Sequence, residues 1–234
     1  MMVAIMQPYF IPYLGYIQLL AAVDKFVVYD DVNYINRGWI NRNNLLIHGQ
    51  KQMMTMPLTG ASQNKKINEI NISAEPKWRS KLLRTIEMSY KRAPHFNEVF
   101  ELTQRIIEHK ESNLSAFLTH QLQEIARYLN LKTEIIVSSE RFNNTELKKG
   151  NRLIDICHEL EDLQYINPIG GAQLYTKEQF AEKGVELRFL EMKSRPYDQI
   201  KTDQFVPYLS IVDVLMMNST ECIIDVYLSD FNLI

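Results

Sequence analysis

Cysteine is scarce in this 234-residue chain: Cys157 and Cys222 stand far apart, in no CxxC or Cys/His spacing. That excludes a disulfide framework and a structural zinc site, and leaves both as buried free thiols. An excess of one charge is also missing. Twenty-six Lys and Arg face 28 Asp and Glu, interspersed, for a formal charge of -2. No broad basic field exists for nucleic acid or an anionic membrane, so neither is an expected partner. Long apolar runs are absent. The nearest, Phe10 to Ala22, is too short and too rich in Pro, Gly and Tyr to span a bilayer, so no membrane insertion is expected. The opening MMVAIMQPYF has no basic n-region and does not read as a signal peptide, which makes a cytoplasmic location the default expectation. There is no GxGxxG, P-loop or GxSxG, no internal repeat and no low-complexity tract.

What is present is the composition of an ordinary globular protein, 46% hydrophobic and 23% charged, enough for one large domain or two small ones. Val3 to Met6 reads as a buried strand that ends at Gln7-Pro8. Pro12 keeps the backbone irregular to Gly15, Tyr16 to Val23 reads as a short helix, and Lys25 to Tyr29 as a second strand. This is a βαβ unit, and it favours a parallel sheet. Asn33 to Asn44 reads as an ordered loop. Leu45 to Ile47 and Gln52 to Pro57 read as a hairpin around His48-Gly49, and Ile67 to Ile72 as a weak strand. Three segments, Pro76 to Tyr90, Phe96 to Glu108 and Leu114 to Leu129, carry apolar residues at helical spacing. Pro76 suits a first helical turn. After them come a strand at Glu134 to Val137, a helix at Asn151 to Leu160, a short strand at Gln164 to Ile166 and a turn at Asn167 to Gly171. A helix at Leu174 to Lys183 closed by Gly184, a strand at Val185 to Glu191 and a helix at Ser210 to Met217 complete the pattern. Ser210 reads as that last helix's cap, with Asp213 in a capping-box-like place. The expected fold is α/β, a Rossmann-like parallel sheet core (residues 1–75 plus 131–234) with an inserted bundle of about three helices (76–130).

Three constellations could carry chemistry. The loop Gln7-Pro8-Tyr9-Phe10-Ile11-Pro12-Tyr13-Leu14-Gly15-Tyr16 lies between the carboxyl end of a strand and the start of a helix. Ligands bind there in open α/β folds, helix N–H groups face phosphate, and a glycine lets the backbone approach. This marks Gln7, Tyr9, Tyr13, Gly15 and Tyr16 as candidate substrate contacts. Asp30-Asp31 follow the second strand, and paired carboxylates serve as general base, ammonium site or divalent-metal site. Beyond them Tyr34, Arg37, Trp39, Asn41 and Arg42 are candidates, the arginines to clamp a diphosphate and Trp39 to stack on a ring. Late in the chain, Gly170 and Gly171 could admit phosphate or a sugar hydroxyl, and Tyr197 and Gln199 are polar residues among apolar neighbours. Cys157-His158 point about 100° apart on a helix and make no nucleophile–base pair. His109 and His120 are isolated, and the cations of the three-helix segment read as a solvated face.

Tyr13-Leu14-Gly15-Tyr16 resembles the HxGH signature of nucleotidyl-transferring enzymes, with tyrosine in place of both histidines. Val137-Ser138-Ser139-Glu140-Arg141 faintly resembles their later Ser-Ser…Arg motif, which brings in Ser138 and Ser139. Nearly the whole chain resembles the WbqC-like family. The likeness begins with QPYFIPYLGYIQLL…VDKFVVYDDVNYINRGWINRN and continues through Tyr90-Lys91-Arg92-Ala93-Pro94, Asn151-Arg152-Leu153-Ile154-Asp155-Ile156-Cys157 and the NPIGG turn. It ends in the Tyr-x-Gln and Phe-x-Pro-x-Leu-Ser-x-x-Asp motifs. A departure is Met217-Asn218-Ser219, where the family often has a glycine after the asparagine.

The resemblance implies a role among surface-polysaccharide (O-antigen and capsule) proteins and an acyl or aminoacyl (glycine-type) group transferase acting on a nucleotide-linked amino sugar. Its partners would be that sugar and an acyl or aminoacyl donor, with a homo-oligomer also compatible. Asp30 or Asp31 would take the amine proton. ATP and Mg2+ are the candidate cofactors, and no metal ligand set is assigned. The alternatives are a non-catalytic sugar-nucleotide-binding partner of other enzymes, or a nucleotidyl, adenylyl or glycosyl transferase.

Overall fold

The structure, a computed structural model, describes residues 1–75 and 77–234. Pro76, expected in a first helical turn, lies outside the described residues. The chain begins with β1 (Met2–Met6), α1 (Leu14–Ala21) and β2 (Lys25–Val28). Next come the hairpin strands β3 (Arg42–Ile47) and β4 (Gln50–Thr55), and two short strands, β5 (Leu58–Thr59) and β6 (Asn71–Ile72). Helices α2 (Lys77–Tyr90), α3 (Phe96–Glu108) and α4 (Leu114–Tyr128) follow. The α/β pattern then resumes with β7 (Glu134–Ile136), α5 (Gly150–Glu159), β8 (Gln164–Pro168), α6 (Lys177–Ala181) and β9 (Glu186–Met192). It closes with α7 (Ile211–Met217), α8 (Thr220–Cys222) and β10 (Phe231–Leu233).

One sheet, in the order β10-β9-β8-β1-β2-β7, forms the core. Its first five strands in chain order pair in parallel and β10 runs antiparallel at the edge, with Phe231 opposite Met192. This is the Rossmann-like α/β core that the sequence pattern anticipates. Alternation along the strands loads both faces. Val3, Ile5, Val27, Tyr165 and Leu187 pack with Leu153 and Ile156 of α5 and Phe180 of α6. Ala4, Phe26, Val28, Ile166 and Leu190 face the other way, into one apolar cluster with α1, α2, α3, α4 and α7. The three inserted helices therefore share a core with the sheet. Each fully buried Leu, Ile or Phe there contributes about 1.5–3 kcal/mol.

Several boundaries differ from the sequence reading. Ile67–Glu69 is a single 3₁₀ turn rather than a strand, because the amides of Ile67 and Asn68 bond the carbonyls of Val32 and Asp30. The helix expected from Leu174 begins at Lys177, since the Thr176 side chain accepts from the Gln179 amide and caps it there. Arg42 to Asn44, read as loop, form the start of β3. Ser210 caps α7 as expected, but the Asp213 carboxylate turns inward instead of completing a capping box. At the departure noted above, the Ser219 side chain caps α8.

The β3–β4 turn places His48 and Gly49 at φ 53° and 77°, the left-handed values that a tight hairpin requires. A Cβ on Gly49 would lie 2.1 Å from the Lys201 carbonyl oxygen. Residues 193–209 thus run directly against the hairpin tip. Among the described residues no helix is long and apolar enough to cross a membrane.

Candidate functional site

From β1 the chain steps to β2 and β7 on one side, then returns to β8 on the other. The crevice at the carboxyl ends of β1 and β8 is therefore the topological switch point, where ligands bind in open α/β sheets. A cavity of about 840 Å³ opens there, within the range of small-molecule sites. Its walls are the ends of three strands (Met6-Gln7, Asn167 with the turn to Gly171, and Leu190 to Met192) and the rings of Tyr9, Tyr13, Tyr29, Trp39, Tyr175 and Tyr208.

The loop after β1 is held in an unusual conformation. Ile11, a buried β-branched residue, has φ 34°, a strained value for such a side chain. Its partners over-determine it. The fully buried Gln121 of α4 accepts from the Ile11 amide at 2.7 Å and donates to the Tyr9 carbonyl at 2.9 Å. Asn43 and Ser210 both donate to the Ile11 carbonyl, at 2.8 and 2.7 Å. The Ile11 amide and its carbonyl, and the carbonyl of Tyr9, are thereby all satisfied, so the helical insertion fixes the loop that forms the cavity wall.

Asp30 and Asp31 lie away from the cavity wall, at the ends of β2 and β7. Asp30 accepts from Ser115 and Ser138 hydroxyls at 2.5 and 2.6 Å and from the Ser139 amide at 3.2 Å. Asp31 accepts from the Ser139 hydroxyl and forms a 2.5 Å ion pair with Arg152, the two side chains being 0% and 4% exposed. Arg152 also donates to Asn144 at 2.8 Å and lies over the Tyr29 ring, 4.9 Å from its centroid. Both carboxylates are consumed by this network, which ties β2 to the segment after β7 and to α5. A smaller depression of about 360 Å³, lined by Asp30, Lys66, Asn68, Ser138 and Glu140, lies on the other side of it.

The remaining candidates divide. Gln7, Tyr9, Tyr13, Gly15, Trp39, Gly170 and Gly171 line the cavity. Tyr16 is buried and donates to the Gln7 carbonyl at 2.9 Å. Gly15 is a close-packing position, because a Cβ there would meet the Tyr13 ring at 2.6 Å and Met192 at 3.2 Å. Tyr34 donates to Asn41 at 2.8 Å, and Asn41 donates to the Met56 carbonyl. Arg42 donates to the Gly38 carbonyl at 2.8 Å, while Arg37 sits exposed in a left-handed turn, φ 60°. Neither arginine lines the cavity. Tyr197 and Gln199 donate to the buried Asp213 at 2.6 and 3.2 Å, and Tyr90 donates from α2 at 2.7 Å. Ser138 and Ser139 belong to the aspartate network.

Residues that the sequence reading passed over supply much of the cavity chemistry. Among the described lining residues, Glu191 is the one carboxylate and Lys51 the one cation. The Lys51 ammonium donates to the Pro207 carbonyl at 3.2 Å. Asn167, nearly buried, makes no side-chain hydrogen bond among the described residues, and neither does the Gln7 carboxamide. Gln7 is among the expected contacts; for Asn167 and Glu191, a place at the end of a strand is the signal that could have found them. Burial pushes the Tyr9 hydroxyl up to about 12, with the neighbouring Tyr13 adding to the shift, so it remains a neutral donor. The Cys157 thiol is raised to about 12 by burial, as an inert core thiol should be. Among the described residues no group of three or more His, Cys, Asp or Glu is arranged to hold a metal ion.

No solved structure matches the chain. A protein of Mycobacterium tuberculosis (strain ATCC 25618 / H37Rv), "Uncharacterized protein Rv1507c", is 30% identical over 218 residues, covering 91% of this chain and 92% of that one. The model of the WbqC-like protein family matches residues 7–224, from the first cavity residue after β1 to the turn beyond α8. The chain that builds this cavity belongs to the WbqC-like protein family.

Proposed function

We propose that the switch-point cavity binds a nucleotide-linked amino sugar and that the protein transfers an acyl or aminoacyl group to the sugar's amine. The observation that supports this reading most is the cavity itself, a space of about 840 Å³ walled by tyrosines, Trp39 and two uncommitted carboxamides. Aromatic faces and amides suit a base and a sugar ring. Gln7 and Asn167 would hydrogen-bond hydroxyl groups, and Lys51 would sit by the diphosphate.

The proton acceptor in this proposal is Glu191. The amine nitrogen attacks the carbonyl carbon of an activated donor, and a C–N bond forms as the bond from that carbon to the leaving group breaks. Glu191 takes the proton released from nitrogen, a contribution typically worth about 10²–10⁴-fold. Asp30 and Asp31 would brace the wall behind Tyr29 instead of moving protons. ATP or an acyl adenylate is a second candidate occupant, favoured by the likeness of Tyr13-Leu14-Gly15-Tyr16 to HxGH; of its two tyrosines only Tyr13 lines the cavity. A surface-polysaccharide setting in the cytoplasm is part of the same proposal.

The experiment is a transfer assay read by mass spectrometry, with dTDP- and UDP-linked amino sugars and thioester or adenylate donors. Wild-type protein should form the amide. Glu191→Gln should bind the sugar nucleotide but lose at least about 100-fold in rate. Binding with no transfer by wild type would support a non-catalytic binding partner. Full activity in Glu191→Gln would remove Glu191 from the mechanism.

A further inference from the structure

Tyr208 combines three properties that packing alone does not explain. Its backbone is left-handed, φ 58°, a conformation that a bulky side chain adopts against steric resistance. The residue is 57% exposed, so burial in the core does not compensate for that conformation. It lines the cavity mouth, edge-on to Tyr13 with ring centroids 6.5 Å apart.

The backbone on both sides of Tyr208 is pinned. The Pro207 carbonyl accepts from Lys51 at 3.2 Å, and the Val206 amide and carbonyl are both bonded by Gln199, at 2.8 and 3.0 Å. On the other side the Ser210 amide donates to the Asn44 carbonyl at 2.8 Å, and its hydroxyl to the Ile11 carbonyl at 2.7 Å. Tyr197, on the same segment, is anchored on Asp213. The segment cannot relax Tyr208 without breaking these bonds. Trp39, 43% exposed, stands at the same mouth. Two large rings are thus held, partly uncovered, at one opening, and a planar ligand ring is what would cover them.

We infer that Tyr208 is a binding residue kept in its strained left-handed conformation so that its ring stacks on the base of the nucleotide in the cavity. This rests on the nucleotide reading of the cavity proposed above. Strain stored at a ligand clamp has a distinctive consequence: relieving it should not weaken the fold but should weaken binding.

Asparagine tolerates the left-handed region and carries no stacking ring, so Tyr208→Asn separates the two effects. Tyr208→Phe keeps the ring. The probes are UDP, dTDP, GDP and ADP, titrated calorimetrically, with glucose 1-phosphate as a base-free control, and each variant is also melted without ligand. Wild type should bind at least one diphosphate. Tyr208→Asn should bind it about 10- to 100-fold more weakly, the range for loss of a base–aromatic stack, with unchanged affinity for glucose 1-phosphate and a melting temperature no lower than wild type. Tyr208→Phe should bind the diphosphate within about threefold of wild type. Equal diphosphate affinity in Tyr208→Asn, or a melting temperature several degrees lower, overturns the inference and leaves the cavity reading standing. If wild type binds none of the four diphosphates, the nucleotide reading fails and the role of Tyr208 falls with it.

Discussion

Replacing Asp31 with alanine should damage the fold more than any chemistry. The Asp31 and Arg152 side chains are 0% and 4% exposed and pair at 2.5 Å. Removing the carboxylate leaves a buried guanidinium with one carbonyl partner on Asn144 and the Tyr29 ring face. It also strips the Ser139 hydroxyl of its acceptor. Breaking a buried pair in this way costs about 3–5 kcal/mol. For a chain of this length each kcal/mol shifts the melting midpoint by about 2–4 °C, so the loss should be about 6–20 °C. Urea unfolding monitored by circular dichroism measures the same free energy independently. Arg152→Met should be similarly costly, whereas Asp31→Leu combined with Arg152→Met should lose much less than the two singles together, because no lone charge remains. An Asp31→Ala protein that melts like wild type would refute this reasoning. If it also lost turnover, Asp31 would regain the proton-transfer role that its residue type first suggests.

Three further outcomes follow from the geometry. Gln121→Leu should leave the Ile11 amide and Tyr9 carbonyl buried without partners, costing about 1–3 kcal/mol for each; hydrogen exchange should show faster opening of residues 9–11, and slow exchange there would contradict the clamp. Gly49→Ala should destabilise by more than about 1 kcal/mol, because its left-handed backbone and the Lys201 carbonyl 2.1 Å from the new Cβ both oppose it; an unchanged melt would show that residues 193–209 do not rest on the hairpin. Tyr9 has a folded pKa raised from 10.0 to about 12, so its contribution is fully present below pH 10 and is lost as pH rises towards 12, at up to about 1.4 kcal/mol per pH unit. Tyr9→Phe should flatten that alkaline decline, and an identical pH profile would count against its burial.

The fold was largely legible because its signals are local. The apolar run of Val3 to Met6, the β-branched and aromatic stretch of Lys25 to Tyr29, the apolar spacing of Phe96 to Glu108 and the Ser210 cap need only neighbours in sequence to act. The strand ends also pointed to Gln7, Tyr9 and Tyr13 before any geometry was known. What stayed hidden depends on partners far along the chain. Asp30-Asp31 looks like a reactive pair until Ser115, Ser138, Ser139 and Arg152 converge on it from more than eighty residues away. Arg37 and Arg42 look like a diphosphate clamp, but the turn around Gly38 directs Arg42 onto its own loop. Glu191 reads as an ordinary strand residue and Lys51 as part of a hairpin turn, since only the sheet order brings the end of β9 and the hairpin to one opening. Gln121 carries no motif at all, yet it fixes the loop after β1.

The most direct test of the central claim, that the switch-point cavity is the ligand site, is calorimetric titration of dTDP- and UDP-linked amino sugars into wild type and Asn167→Leu. Asn167 lies on the cavity wall and spends no side-chain hydrogen bond on the fold among the described residues, so the variant should fold as wild type does. Wild type should bind saturably and the variant at least about tenfold more weakly, as expected when a polar contact is replaced by an apolar one. Absence of binding to wild type, or equal binding by a folded Asn167→Leu, would contradict it.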